Sequence, residues 1–150
     1  MVTIVVIAHR PLATALVEAA RHVYSRDPCL ASRQMVAFDV APDADIGTAV
    51  AQARELLRQV DGGAGVLVLT DVVGATPGNV AARLAQAGHV AVVSGVNMPM
   101  LLRSLCYGAS TLDELVVKAA AGGVNGVQQL AAPSANAGVF AAPNVSPAKR

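Results

Sequence analysis

Short runs rich in Val and Ile alternate with longer stretches in which apolar residues recur every three or four positions, and this alternation is the tightest constraint on the fold. Residues 2–8 are almost continuously apolar, the pattern of a strand covered on both faces. Residues 33–40, 66–69 and 90–93 predict three further strands. Between them lie helical stripes. Leu12, Leu16, Ala19, Ala20 and Val23 follow Pro11 and predict a helix to about Tyr24, while Ile46, Val50, Ala53, Leu57 and Val60 predict one closed by Gly62 and Gly63. Thr76 and Pro77 read as the capping hydroxyl and first-turn proline of a helix through about Gln86. Asn97 and Pro99 open another that stops near Gly108, and Thr111 with Glu114 forms a capping box for the last.

Parallel strands require long crossovers, so four buried strands separated by helices predict an α/β fold: a doubly wound, mainly parallel four-stranded sheet with helices on both faces. The pattern ends near Leu130. Residues 131–150 are rich in Ala and Pro, contain no acidic side chain and are expected to be a disordered tail, which leaves residues 1–130 as one domain. The stretch 84–102 lacks Asp, Glu, Lys and Arg, but Gln86, His89, Ser94, Asn97 and Pro99 interrupt it, so it does not predict a membrane span. The first apolar run is too short and lacks the basic lead-in of a signal peptide, and a cytoplasmic location is expected. Cys29 and Cys106 have no metal-binding spacing and are expected to be buried small hydrophobes. Eleven basic against ten acidic residues and only 3% aromatic residues argue against a nucleic-acid partner.

In open parallel sheets ligands bind beyond the carboxyl ends of the strands, where the strand order reverses. His9 follows the first strand there; Thr70, Asp71, Gly74, Ala75 and Thr76 follow the third; Ser94, Gly95 and Asn97 follow the fourth. With strand order 2-1-3-4, His9 and Asp71 are neighbours. A carboxylate that accepts one ring N–H fixes the imidazole tautomer and leaves the other nitrogen free as a nucleophile. Asp71 would hold Nδ1–H and leave Nε2 exposed. The turn amides of Gly74 and Ala75, the Thr76 hydroxyl and the Arg10 guanidinium would then suit a phosphoryl group. Each residue also has an ordinary reading: His9, Gly95 and Asn97 as turn or cap residues, Asp71 as a loop cap, Thr76 and Pro77 as a plain helix start, Arg10 as a solvated side chain. Convergence at one edge favours the chemical reading. No GxxxxGK[ST], GxGxxG or GxSxG motif is present, no His/Cys cluster has metal spacing and no acidic cluster suits magnesium, so no cofactor is expected.

Three segments carry a family resemblance: IVVIAHRPLA around His9, VLVLTDVVGATPGN around Asp71 and GVNMPMLLRSL after the fourth strand. The chain resembles, from about Val2 to Leu130, the EIIA component of the mannose-type branch of the phosphoenolpyruvate-dependent sugar phosphotransferase system. The resemblance implies that His9 accepts a phosphoryl group on Nε2 from phospho-HPr, that Asp71 orients the ring, that Thr76 places a hydroxyl beside the phosphoryl group and that Asn97 lines the site. It implies transfer onward to an EIIB partner, here a separate chain, with the membrane reached only through a permease. It further implies a homodimer that exchanges a fifth, antiparallel edge strand at residues 127–130, including Val127 and Leu130. Arg10 stands where many members have Gly. The alternatives are a regulatory phosphoprotein that signals phosphotransferase state without sugar transport, and a flavodoxin-like module that binds a small molecule.

Overall fold

The structure is a computed structural model and describes residues 1–132. In chain order the elements are β1 (Thr3–His9), α1 (Leu12–Val23), α2 (Pro28–Ala31), β2 (Met35–Val40), α3 (Ile46–Val60), β3 (Val66–Thr70), α4 (Thr76–Ala82), β4 (Val90–Ser94), α5 (Met98–Cys106) and α6 (Leu112–Asn125). The four strands form one parallel sheet in the order β2-β1-β3-β4. Alternation along the strands divides the core into two layers. Ile4, Val6, Ala8, Leu67 and Leu69 pack beneath α1, α5 and α6, whereas Val5, Ile7, Val66 and Val68 pack beneath α3 and α4. Helices therefore cover both faces, which is the expected double winding. The continuous apolar reading of β1 and β3 follows from this, because neither face meets water.

Local chemistry sets the element ends. Asp45 caps α3 by accepting from the Thr48 N–H at 2.8 Å. Those bonds hold its carboxyl below the usual aspartate range. Thr111 and Glu114 form the expected reciprocal capping box on α6.

Several sequence-based expectations are corrected. The buried stripe of α1 is Ala13, Val17 and Ala20, and Leu12 and Val23 are exposed, so the helix is rotated from the expected face toward its smaller residues. Helix α4 ends at Ala82, well before Gln86, because Gln86 is taken into an antiparallel bridge with Val90. The helical turn α2, which the sequence pattern did not mark, is capped by Asp27 and delays β2 to Met35. Both cysteines are exposed rather than buried. Cys29 sits on α2, outside both core layers. Cys106 lies on the outer side of α5, whose inner side is Met100, Leu101, Ser104 and Leu105, with its Sγ 3.1 Å from the Tyr24 hydroxyl.

Residues 127–130 form no strand, and Val127 and Leu130 are exposed, so the expected fifth strand is not seen in the single chain. Apart from Ala131 and Ala132, the expected tail lies outside the described residues. Among the described residues, no helix is long and apolar enough to cross a membrane.

Candidate phosphoryl-transfer site at the carboxyl edge of the sheet

The chain leaves β1 toward β2 on one side and returns through β3 on the other, so the strand order reverses between β1 and β3. His9 is the last residue of β1, and Asp71 directly follows β3. The two side chains meet. His9 Nδ1 lies 2.7 Å from Asp71 Oδ2, and the His9 backbone N–H donates to the same oxygen at 2.9 Å. The Val72 N–H donates to Oδ1 at 2.8 Å. Burial opposes ionisation of Asp71, but the donors from His9 and Val72 outweigh it and hold the carboxyl below its usual range. Facing an ionised acceptor, Nδ1 is the ring nitrogen that donates, so in a neutral ring Nε2 is the one left with its lone pair. The ring side chain is 51% exposed and the carboxylate 8%, so a partner can approach the imidazole while its anchor stays shielded.

The β3–α4 loop forms the wall beside this pair. Gly74 has φ +84°, a conformation that L side chains rarely adopt, and its carbonyl accepts from the Asn79 carboxamide at 3.3 Å. Ala75, not Thr76, is the N-cap of α4 and makes no side-chain cap bond. Thr76 is the first helical residue, half-buried, and its hydroxyl is free of the expected capping duty. Val72 and Val73 are exposed at the loop crest.

Gly78, which the sequence reading passed over, makes the loop possible: a Cβ there would sit 2.5 Å from the Val72 carbonyl oxygen. Gly78→Ala should displace the loop and destabilise the fold by about 1–3 kcal/mol. Thermal melts, read alongside the His9 and Asp71 amide resonances, measure this; unchanged resonances would show that the loop tolerates the methyl group.

Arg10 is exposed beside His9, with its backbone N–H bonded to the Val40 carbonyl. Asn97 stands at the same edge after β4, but its carboxamide is committed. Its Oδ1 caps α5 through the Met100 N–H, and its Nδ2 donates to the Gly123 carbonyl of α6 at 3.1 Å. Asn97 therefore shapes the edge by tying α5 to α6. Asp39, which the sequence reading passed over, also supports the site. At the end of β2, it binds the backbone and hydroxyl of Thr14 and so holds the start of α1 near His9. Thr70 is 1% exposed, and its hydroxyl has no hydrogen-bond partner.

An unsatisfied buried hydroxyl is costly, and Val has the same shape without it. Thr70→Val should raise stability by about 1 kcal/mol, or a few degrees in Tm, as read by thermal denaturation. A fall in Tm would mean that the hydroxyl has a structural partner.

A family model for EIIA-man, described as the PTS system fructose IIA component, matches residues 3–120. The chain belongs to the EIIA-man family. This EIIA-man domain is 34% identical over 117 residues to the PTS system mannose-specific EIIAB component of Escherichia coli K12, a match covering 73% of the chain and 36% of that relative. The component of the same name from Shigella flexneri gives the same figures. The EIIA-man chain thus spans little more than a third of the length of these curated relatives. Among solved structures, the mannose/sorbose-specific IIA subunit from Enterococcus faecalis superposes with a TM-score of 0.74 at 21% identity, covering 89% of the chain and 97% of that subunit. The phosphotransferase system component EIIA from Streptococcus agalactiae gives 0.71 at 24% identity, covering 86% and 97%. These likenesses establish the fold.

Proposed function

We propose that the protein is a phosphocarrier of the sugar phosphotransferase system, with His9 as the residue that takes up and releases the phosphoryl group. The observation that carries this reading is the two-point grip of Asp71 on His9, which leaves Nε2 as the only free ring nitrogen. Nε2 attacks the phosphorus of phospho-HPr; a P–N bond forms as the P–N bond to the donor histidine breaks, and the donor imidazole leaves with the electron pair. Nδ1 keeps its proton throughout. The ring gains positive charge in the process, and the buried carboxylate offsets it. The Gly74 amide and the Thr76 hydroxyl would hold the phosphoryl oxygens, the Ala75 N–H being already bonded to the Val72 carbonyl, and Arg10 would supply a cation. Asn97 contributes by fixing the edge. Transfer to an EIIB-type partner reverses the chemistry, and sugar uptake would follow through a permease. Membership of the EIIA-man family supports the same assignment.

A homodimer completes this reading. Val127 and Leu130 are exposed in the single chain, and strand exchange with a second copy would cover them. Sedimentation should then give a dimer mass. For the chemistry, incubation with phosphoenolpyruvate, enzyme I and HPr should produce one acid-labile phosphohistidine, discharged on addition of an EIIB component. Absence of label, or label on a residue other than His9, overturns the assignment.

A further inference from the structure

Asn79 of α4 bonds two consecutive carbonyls of the loop before it. Its backbone N–H donates to Ala75 at 2.9 Å, the first bond of the helix, and its Nδ2 donates to Gly74 at 3.3 Å. The second bond lies outside the helical pattern. It takes the C=O of the Gly74–Ala75 peptide, whose N–H donates to the Val72 carbonyl at 3.4 Å. Both polar atoms of this peptide are thus engaged, and its plane is fixed.

The grip falls where the loop is least supported. Gly74 has φ +84°, and a Cβ there would meet nothing within 4 Å, so no packing restrains it. Glycine moves between the two signs of φ with little steric cost. Val73 beside it is 82% exposed. The feet of the loop are held elsewhere, Val72 by its N–H bond to Asp71 and Gly78 by its close approach to the Val72 carbonyl. Among the described residues, Asn79 is the only side chain that bonds to residues 73–75.

We propose that Asn79 is a positioning residue for phosphoryl transfer at His9, an inference that rests on the phosphocarrier reading. The peptide it grips joins the two donors assigned to the phosphoryl oxygens: the Gly74 N–H precedes it and the Thr76 hydroxyl follows it. With the plane fixed, both donors are set before the phosphoryl group arrives and need no reorganisation during transfer. Without the Nδ2 bond, Gly74 is free to turn, which takes its N–H off the phosphoryl oxygens and lets its unpaired carbonyl face them and repel them. Asn79 acts through the loop and leaves the bond-making to His9.

Two variants of the full chain test this. Asn79→Leu keeps the shape of the carboxamide and removes its donor, and Asn79→Ala removes both; the position is exposed, so both should fold. Rapid-quench transfer at saturating phospho-HPr should slow at least ~tenfold in each, with KM for phospho-HPr within about twofold of wild type. In ¹⁵N relaxation of the unphosphorylated variants, the Gly74 amide order parameter should fall from the rigid range near ~0.85 to below ~0.6. A role confined to stability would lower Tm and move neither readout. Wild-type rates in both variants, an unchanged Gly74 order parameter, a loss in Asn79→Ala alone, or a rise in KM at unchanged kcat each overturns the inference and leaves the phosphocarrier reading standing. No transfer in the wild type overturns both.

Discussion

In the His9→Gln variant, phosphoryl transfer from phospho-HPr is expected to fall below detection while the fold persists. The reaction needs a neutral ring nitrogen with a lone pair, and a carboxamide offers none. The structural cost should be small. The His9 ring is half-exposed, and the backbone N–H of residue 9 keeps its bond to Asp71 after the substitution. Only the 2.7 Å bond between ring and carboxylate is lost, which at a half-exposed position costs about 1–2 kcal/mol. Circular dichroism and a thermal melt should therefore show a folded protein with a Tm lowered by a few degrees, and the label should be absent. Labelling that survives in His9→Gln would move the phosphoryl group to another residue.

Asp71→Asn is the second large effect, because three donors converge on this carboxylate. Two come from His9 onto Oδ2 and one from Val72 onto Oδ1. An amide can accept on one side only. If its oxygen faces His9, its NH₂ opposes the Val72 N–H; if it flips, its NH₂ opposes both His9 donors. The ring then loses its tautomer control and the negative charge that offsets the developing cation. Loss of an orienting carboxylate by this means should slow transfer roughly 10²–10⁴-fold. Rapid-quench measurement of phosphoryl transfer reads it, and a rate within threefold of wild type would show that Asp71 does not control the ring.

The same substitution carries a pH signature. The folded pKa of Asp71 lies below its unfolded value, so its ionised form stabilises the fold. That contribution is complete above the ordinary aspartate value of about 3.9 and disappears as pH falls through the lower folded value. The stability gap between wild type and Asp71→Asn, taken from urea midpoints, should be constant near neutrality and narrow on acidification below about pH 4. A gap that does not change with pH would mean that the carboxylate is not ionised in the fold.

Much of this architecture is legible in the residues. The apolar runs of β1 and β3 declare burial on both faces, and strand order plus the switch-point rule places His9 beside Asp71. The capping box at Thr111 is equally plain, since it depends on residues three apart. What the pattern misjudged depends on distant packing. Cys106 looks apolar in sequence but faces outward, because Leu101 and Leu105 fill the inner side of α5. Asn97 looks like a ligand for phosphate, yet the Gly123 carbonyl of α6 claims its amide. Gly78 reads as an ordinary helix residue until the Val72 carbonyl lies against it.

The sequence by itself therefore determined the layered α/β class and the placement of His9 and Asp71 at carboxyl ends of strands, because hydrophobic period and strand-end position are local properties; the strand order β2-β1-β3-β4 made them neighbours. Only the tertiary structure decided that Asp71 also takes the His9 backbone N–H, that Asn97 joins α5 to α6, and that Asp39 holds Thr14 at the start of α1. Those outcomes turn on which donor finds which acceptor among residues far apart in the chain, and hydrogen bonding is settled by ångström-scale geometry that periodicity does not encode.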